Sequence, residues 1–312
     1  MTQMWIRRKM NSTENIERSG FVALIGRPNC GKSTLMNTIL GEELAVVTTL
    51  PQTTRKNLKG IYTGKGLQIV FVDTPGIHAG RQRFNKSMVE EGSGLLRKHN
   101  VDVVCYIVDC ARSFGEEEDM VARMVKESEI PCVVIFNKED LCPAIDGVIG
   151  SFYKRYPEFI SKVNCKLSAV SKKAKDIFIN VITPLMPEGP MLFPADDLTD
   201  ADMRFFAAEY IRKHIINSTR DEVPHAVYVE IISYRETEDM HYIDAEIHVE
   251  TDGQKAIIIG KKGSLVRKIQ EEAAADVQKL SGVRAIVKCH VKISPDWRSN
   301  DRFLHDMGFV VR

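Results

Sequence analysis

The segment from Gly26 to Thr34, GRPNCGKST, constrains the fold of this chain more than any other feature. It follows the apolar run FVALIG and precedes STLMNTIL, which has the pattern of a helix. Glycines let successive backbone N–H groups point inward, and the start of a helix adds its positive dipole end, so this turn suits phosphate groups. Lys32 is expected to reach the β- and γ-phosphate oxygens, and Ser33 to bind Mg²⁺. The predicted nucleotide-binding residues of this loop are Gly26, Asn29, Cys30, Gly31, Lys32, Ser33 and Thr34. A turn that merely caps a helix would not need Lys-Ser after its second glycine.

The pattern around this loop predicts an α/β fold. From Gly20 to about Pro187, the apolar runs LQIVFVD, VDVVCYIVD, PCVVIFN and VNCKLSA alternate with helical or polar stretches. Strands buried on both faces have this character, which indicates a mainly parallel sheet flanked by helices. Gly64 and Gly66 lie between two β-rich runs and predict a hairpin, so one edge strand is expected to run antiparallel.

Two further segments are expected to act at the phosphates. Asp73–Gly76, DTPG, ends an apolar strand, where a carboxylate can hold Mg²⁺ and a glycine can offer its N–H to the γ-phosphate. Thr74 and Pro75 complete this segment, although the same letters can form a simple turn. In the polar stretch TTLPQTTRKN, Thr54 is expected to close onto Mg²⁺, with Thr53 as its rival and a solvated surface loop as the alternative. The predicted catalytic residues are Lys32, Thr54, Asp73 and Gly76, and the predicted metal ligands are Ser33, Thr54 and Asp73.

A fourth segment, Asn137–Asp140, indicates which base is bound. Guanine presents N1–H and its N2 amine as adjacent donors, so the Asp140 carboxylate can accept both, whereas adenine presents an acceptor at N1. Asn137 can hydrogen-bond the base and a neighbouring loop, and the Lys138 stem can cover the ring. Ser168 and Ala169 offer a backbone N–H to guanine O6. GTP and GDP are therefore the predicted nucleotides, although NKED can also begin a capped helix and the Ser-Ala pair can be an ordinary turn.

The pattern changes after the segment MPEGPMLFPADDLT, which breaks both periodicities with three prolines and a glycine. The predicted organisation is a flexible N-terminal tail (1–19), a first domain (20–187), a linker (188–199) and a second domain (200–312). The second domain reads as helix, strand, strand, helix, helix, strand and a short tail helix, an α+β pattern. Its first helix has an apolar stripe and is expected to be capped by Thr199 or Asp200. The stripe consists of Met203, Phe206, Ala207, Tyr210, His214 and Ile215.

A glycine-flanked pair of lysines, Gly260 to Gly263, interrupts the helices of the second domain. It fits the GxxG loop with which KH domains clamp single-stranded nucleic acid, because two glycines let the chain approach phosphates closely. The second domain as a whole carries 17 basic and 19 acidic residues from Thr199 onward, but no acid lies between Gly253 and Gln270. The predicted RNA-binding residues are Lys255, Ile259, Gly260, Lys261, Lys262, Gly263, Arg267 and Lys268. The alternative is a glycine-rich turn with solvated lysines. Contacts near Trp297, Arg298 and Arg302 are open between RNA binding and plain packing or surface charge.

Bulk properties restrict the class of protein. The formal net charge is +1, so nucleic acid or membrane partners must be found in local patches. The seven cysteines form no CxxC or Cys/His pattern, which favours a reducing cytosol. No apolar run approaches the roughly 20 residues that span a bilayer, and the first 19 residues lack a signal-peptide core. A cytoplasmic protein is expected, with peripheral membrane contact left open.

The ordered set GRPNCGKS, PQTTR, DTPG, NKED and SA resembles the translation-factor-related bacterial GTPases. The resemblance continues into the second domain through GKKG, and over this length the chain is similar to the Era family, whose members add a C-terminal KH domain. The resemblance implies a P-loop GTPase domain, a type II KH domain, binding of 16S rRNA near its 3′ end and a role in maturation of the small (30S) ribosomal subunit. It also implies no stable oligomer, possible contact with the inner membrane, and a potassium ion near Asn29. Ile77 stands where Ras-type enzymes carry a water-orienting glutamine, which implies slow hydrolysis, and His78 beside it is expected to be a bystander. Two alternatives stay open: an RNA-binding assembly protein with GTP as a structural ligand, and a GTPase that regulates a non-ribosomal process.

Overall fold

The structure, a computed structural model, describes residues 16–47, 58–74, 94 and 101–306, without the side chains of residues 302 and 306. Thr53, Thr54, Pro75, Gly76, Ile77 and His78 lie outside the described residues, as does most of the predicted N-terminal tail. The described chain forms two compact units that divide between Asp200 and Ala201.

The first unit is a six-stranded sheet with helices, as the sequence predicted. Its strands are β1 Arg18–Ile25, β2 Leu58–Gly64, β3 Leu67–Asp73, β4 Val103–Asp109, β5 Cys132–Asn137 and β6 Val163–Lys166. Its described helices are α1 Lys32–Leu40, α2 Glu116–Ser128, α3 Ile145–Arg155 and α4 Ala174–Ile182, with short 3₁₀ turns at Glu139–Leu141, Pro157–Phe159 and Thr183–Leu185. The sheet order is β2-β3-β1-β4-β5-β6, and among these described strands only β2 runs antiparallel to its neighbour.

The central strands carry the core of this unit. Every residue of β3, β4 and β5 is buried, which confirms the interpretation of their continuous apolar runs. The same interpretation is wrong for β6, because among the described strands it lies at the sheet edge and pairs only with β5. Val163 is 43% exposed there. An apolar run therefore identified a strand correctly but not its position in the sheet.

The predicted hairpin joins β2 and β3. Lys65 and Gly66 form its turn with φ of 56° and 73°, and the two strands pair from Leu58 opposite Asp73 to Gly64 opposite Leu67. The antiparallel edge strand is thus confirmed.

The predicted linker, 188–199, is an ordered part of the first unit. Buried Gln68 donates to the Phe193 carbonyl at 2.8 Å and accepts from the N–H groups of Leu192 and Phe193 at 2.7 and 3.0 Å. Further along, the Ile61 N–H donates to the Leu198 carbonyl at 2.8 Å. The segment therefore lies along β2 and β3, while the domain limits remain a prediction.

The second unit has the predicted order of elements. Its helices are α5 Met203–Ser218, α6 Val223–Ala226, α7 Asp252–Ile259, α8 Ser264–Ser281 and α9 Asp301–Asp306, and its strands are β7 Tyr228–Glu236, β8 Met240–Val249 and β9 Arg284–Ile293. Two 3₁₀ turns, Lys261–Gly263 and Trp297–Ser299, lie between them. In the sheet β7-β8-β9, the first pair is antiparallel and the second parallel.

The cap predicted for α5 is wrong. Asp202 is the N-cap and accepts from the Phe205 N–H at 2.9 Å. Thr199 instead donates to the Lys59 carbonyl at 2.7 Å, and Asp200 forms an ion pair with Lys59 at 2.5 Å. Both earlier candidates are thus held by β2 of the first unit.

The C-terminal segment of the second unit packs into its core. Trp297 is 1% exposed, and its indole N–H donates to the Ala226 carbonyl at 2.8 Å. Arg298 is paired with Glu250. The alternative of plain packing therefore holds for Trp297, and Arg298 forms an ion pair within the second unit.

Candidate functional site

The glycine-rich loop between β1 and α1 has no room for side chains at its two glycines. A Cβ at Gly26 would lie 2.5 Å from Cys30 Sγ and 2.5 Å from the Ile107 carbonyl oxygen. Gly31 has φ of +103°, a conformation that L residues rarely adopt. Asn29 also has a positive φ, of 60°. The loop is therefore tightly wound directly before the first turn of α1, where backbone N–H groups can face an anion.

Lys32 lies inside this loop. Its side chain is nearly buried, and Nζ donates to the carbonyls of Gly26 at 3.3 Å and Arg27 at 3.1 Å. The ammonium is thus held at the centre of the turn. Burial raises the pKa of the neighbouring Cys30 thiol, so that thiol stays protonated and is not a reactive thiolate.

Ser33 and Asp73 meet at the start of α1 and the end of β3. The Ser33 hydroxyl donates to Asp73 Oδ2 at 2.6 Å, and the Asp73 side chain is fully buried. The adjacent Thr74 hydroxyl donates to the Leu24 carbonyl at 2.7 Å and fixes the chain beyond the strand. Hydroxyl and carboxylate oxygens are the ligands that Mg²⁺ prefers, so these two residues fit the ion predicted from the sequence.

One amide joins three of the predicted segments. Buried Asn137 donates from Nδ2 to the Cys30 carbonyl at 2.7 Å and accepts at Oδ1 from the Ala169 N–H at 2.9 Å. A Cβ at Gly31 would lie 2.2 Å from Asn137 Nδ2, so a glycine is required for this approach. The Ala169 N–H is therefore already donated to Asn137. The contact predicted from Ser168 and Ala169 to guanine O6 remains a prediction.

Lys138 is held by a residue that the sequence analysis did not select. Its Nζ lies 2.7 Å from Oδ2 of the fully buried Asp109, and Lys138 has φ of 67°. Asp140 follows in the turn Glu139–Leu141 and is exposed. The signal that could have identified Asp109 is its place at the end of the apolar run VDVVCYIVD, next to the strand that leads into NKED.

A second group of residues missed from the sequence lies under the loop. Arg27 forms a buried ion pair with Glu118 of α2, with Nε 2.6 Å from Oε2, and donates to the Ser113 carbonyl at 3.0 Å. The Tyr106 hydroxyl donates to Glu118 Oε1 at 2.6 Å. Burial raises the pKa of the Glu118 carboxyl, and the Tyr106 hydroxyl and Arg27 oppose that shift. This network connects the loop to β4 and α2 through charges that sequence spacing does not reveal.

The GKKG loop of the second unit has the strained backbone that glycines permit. Gly260, Lys262 and Gly263 have φ of 71°, 53° and 76°. A Cβ at Gly260 would lie 2.8 Å from Leu265 Cβ, whereas one at Gly263 would meet nothing within 4 Å. The loop therefore makes a tight link from α7 to α8 and has open space at its tip.

The predicted RNA-binding side chains lie around this loop. Lys261, Lys262, Arg267 and Lys268 are exposed, while Lys255 and Ile259 are half-buried. Among them, Lys268 lies 3.8 Å from the acidic Glu272, one turn along α8. The arrangement offers several cations to one anionic strand.

The chain matches two known families in the order that the sequence predicted. Residues 21–138 match the family described as 50S ribosome-binding GTPase, and residues 222–298 match the KH domain family. The GTPase Era of Geobacter metallireducens is 40% identical over 302 residues, which cover 96% of this chain and 100% of the relative. The chain belongs to the Era family of GTPases.

Other Era relatives agree over the same length. GTPase Era of Ruminiclostridium cellulolyticum is 36% identical and covers 94% of this chain and 97% of its own. A crystal structure of Era in complex with MgGDPNP and nucleotides 1506–1542 of 16S ribosomal RNA superposes with a TM-score of 0.88 at 30% identity. It covers 95% of this chain and 100% of that one. The predicted P-loop GTPase domain, C-terminal KH domain and GTPase activity are thus confirmed.

Membership in the Era family leaves the role of each residue to the geometry above. Within the described residues, the helices are all too short or too polar to cross a membrane. Thr54, Pro75 and Gly76 lie outside those residues, so their roles remain predictions.

Proposed function

We propose that this chain binds 16S rRNA near its 3′ end through its KH domain and, under control of GTP, assists maturation of the small ribosomal subunit. The observation that carries this proposal is the near full-length similarity to an Era protein whose crystal structure contains nucleotides 1506–1542 of 16S rRNA. The exposed lysines of the GKKG loop provide the matching chemistry in this chain, because they can contact the RNA backbone.

In the nucleotide site, the proposed roles follow from where the side chains lie. Lys32 neutralises the β- and γ-phosphates, and the N–H groups of the loop from Gly26 to Thr34 surround them. Ser33, Asp73 and Thr54 hold Mg²⁺, which supplies positive charge at the phosphates when it is bound. The Gly76 N–H contacts the γ-phosphate. Lys32, the backbone N–H groups and the ion, when bound, would stabilise the negative charge of the transition state, which is how a protein accelerates phosphoryl transfer.

Hydrolysis is proposed to be slow without a partner. Ile77 has no polar group to orient the attacking water, unlike the glutamine of Ras-type enzymes. The protein would then act through the nucleotide that it has bound rather than through fast turnover. Asn29, with its positive φ beside the phosphates, is the proposed oxygen donor to a potassium ion.

At the base, Asp140 is proposed to read the two donors of guanine and the Lys138 stem to cover the ring, while Asn137 holds the surrounding loops. The same proposal includes GDP as the product state. The protein is expected to work as a monomer in the cytoplasm and to join the 30S subunit. A peripheral contact with the inner membrane is a further expectation.

The proposal is tested by crosslinking the protein to RNA in living cells and sequencing the bound fragments. We expect fragments from the 3′ end of 16S rRNA to be enriched over those from a variant with Lys261→Ala and Lys262→Ala. As a matched control, Lys172→Ala with Lys173→Ala removes another exposed lysine pair, from the first unit, and is expected to retain the enrichment. Recovery of no 16S fragments, or only of unrelated RNA, would contradict the ribosomal role.

A further inference from the structure

Asp109 combines complete burial with two specific hydrogen bonds. It is the last residue of β4, and its side chain is 0% exposed. Oδ1 accepts from the Ala111 N–H at 3.0 Å, and Oδ2 accepts from Lys138 Nζ at 2.7 Å. A carboxylate removed from water needs such partners, so Asp109 restricts the positions of the Ala111 N–H and the Lys138 ammonium.

The location of Asp109 connects it to the base-reading segment. In the parallel pairing of β4 and β5, Asp109 lies opposite Asn137. Beyond the strand ends, the Cys110 N–H donates to the Asn137 carbonyl at 3.1 Å. The chain that leaves β4 is therefore fixed to the chain that leaves β5, immediately before Asp140.

The contact also determines the direction of the Lys138 side chain. Lys138 has a left-handed backbone with φ of 67°, and its side chain is 26% exposed, so its ammonium points back to β4 rather than into solvent. An anchored ammonium leaves the aliphatic stem in one conformation, which lowers the entropy lost when a ring packs on that stem. A lysine without the anchor would sample many rotamers.

We propose that Asp109 is a positioning residue for guanine-nucleotide binding, which acts by anchoring Lys138 and the turn that carries Asp140. This inference rests on the guanine-reading role proposed above for Asn137, Lys138 and Asp140. It predicts an effect on affinity that is shared by GTP and GDP, because both contain the base. It predicts no effect on the chemical step, since Asp109 does not contact the phosphate loop in any of the hydrogen bonds described.

Asp109→Asn separates the two contacts of the side chain. The amide oxygen can still accept from Ala111, whereas the amide nitrogen cannot accept from Lys138. We expect the Kd of GDP and of GTP to rise by about 10-fold or more, as for the loss of one charge-assisted hydrogen bond. The single-turnover rate of GTP hydrolysis at saturating protein should stay within about twofold of the wild-type rate.

Lys138→Met provides the second arm, because it keeps an apolar stem and removes the ammonium at a partly exposed site. If Asp109 acts through Lys138, the double variant binds GDP no more weakly than the weaker single variant. A purely structural role for Asp109 predicts additive losses. Asp176→Asn, which removes an exposed partner of Lys65 at 3.3 Å, is the matched control and should leave both nucleotide affinities unchanged.

Asp140→Asn distinguishes this inference from the proposed guanine site. If Asp140→Asn weakens GTP binding while Asp109→Asn and Lys138→Met do not, the anchoring role is overturned and the guanine site stands. If Asp140→Asn leaves GTP binding unchanged, the guanine site itself is overturned. Circular dichroism and thermal melting identify a variant that fails to fold, and the Lys138→Met measurement then decides alone.

Discussion

At the scale of single residues, the nucleotide loop depends on the absence of side chains as much as on their presence. Gly31 allows Asn137 to reach the Cys30 carbonyl and so joins the phosphate loop to the base-reading segment. Lys32 and Ser33 come next, in the first turn of α1, and Ser33 contacts Asp73 at the end of β3. A single glycine thus determines whether groups far apart in sequence can act on one nucleotide.

Gly31→Ala tests this point. The new Cβ would lie 2.2 Å from Asn137 Nδ2 in a backbone with φ of +103°, so Asn137 has to move. We expect the GDP affinity to fall by about 100-fold, the size of one lost buried hydrogen bond plus backbone strain. Isothermal titration calorimetry measures it.

Gly41→Ala is the matched control, because Gly41 has φ of +75° but nothing within 4 Å of an added Cβ. It carries the strain without the clash, so it should cost about 1 kcal/mol of stability and leave the GDP affinity unchanged. Equal losses of affinity in both variants would refute the steric argument.

At the scale of elements, the segment α7–GKKG–α8 presents exposed cations on the turn between its two helices. A capping box at Thr251 and Gln254 fixes the start of α7, and Ile258, Ile269 and Ala273 are buried. Lys261 and Lys262 are therefore displayed on a supported loop. Phosphate contacts of this kind release counterions, which makes them visible in the salt dependence of binding.

Replacing both Lys261 and Lys262 with alanine should weaken binding of single-stranded RNA and flatten its salt dependence. Two lost phosphate contacts should reduce the slope of log K against log salt by about 1.4. Fluorescence anisotropy at several salt concentrations measures the slope, and GDP affinity should not change. An unaltered slope would show that these lysines do not contact the RNA.

The sheet of the second unit contains a histidine whose environment predicts a pH effect. Burial lowers the pKa of the His248 imidazole, although Glu230 and Glu246 favour its protonation. Because the folded pKa lies below the unfolded one, the unfolded chain binds the extra proton more readily, and stability is lost as pH falls from the unfolded value of about 6.5 through the lower folded value.

His248→Gln should therefore reduce the loss of thermal stability between about pH 7.5 and pH 5.5. Differential scanning fluorimetry across that range provides the measurement. His290→Gln, at an exposed position of β9, is the control and should retain the wild-type dependence. If both variants lose stability as the wild type does, His248 is not the source of the effect.

At the scale of the whole molecule, the sequence predicted those features that depend on local pattern. Continuous apolar runs identified the buried strands, and glycines identified the hairpin and both loops. The edge position of β6 was not predicted, because a run of apolar residues does not say how many neighbours a strand has. The Asp202 cap was missed because Thr199 and Asp200, equally good capping residues, are used by Lys59.

The parts of the nucleotide site that were missed are long-range pairs. Asp109 with Lys138 and Arg27 with Glu118 are far apart in sequence and belong to no short motif. Their charges become meaningful only when parallel strands bring their ends together. Motif spacing therefore predicted the groups that would contact the nucleotide, while the residues that hold those groups required the fold.

In the function proposed for this Era-family GTPase, the bound nucleotide controls how the protein holds the 3′ end of 16S rRNA. The most direct test of this control is the affinity for an RNA spanning that end, measured with the protein loaded with GDPNP or with GDP. We expect tighter binding with GDPNP than with GDP, and little binding of a scrambled RNA in either state. Equal affinity in both nucleotide states, or equal affinity for the scrambled RNA, would contradict it.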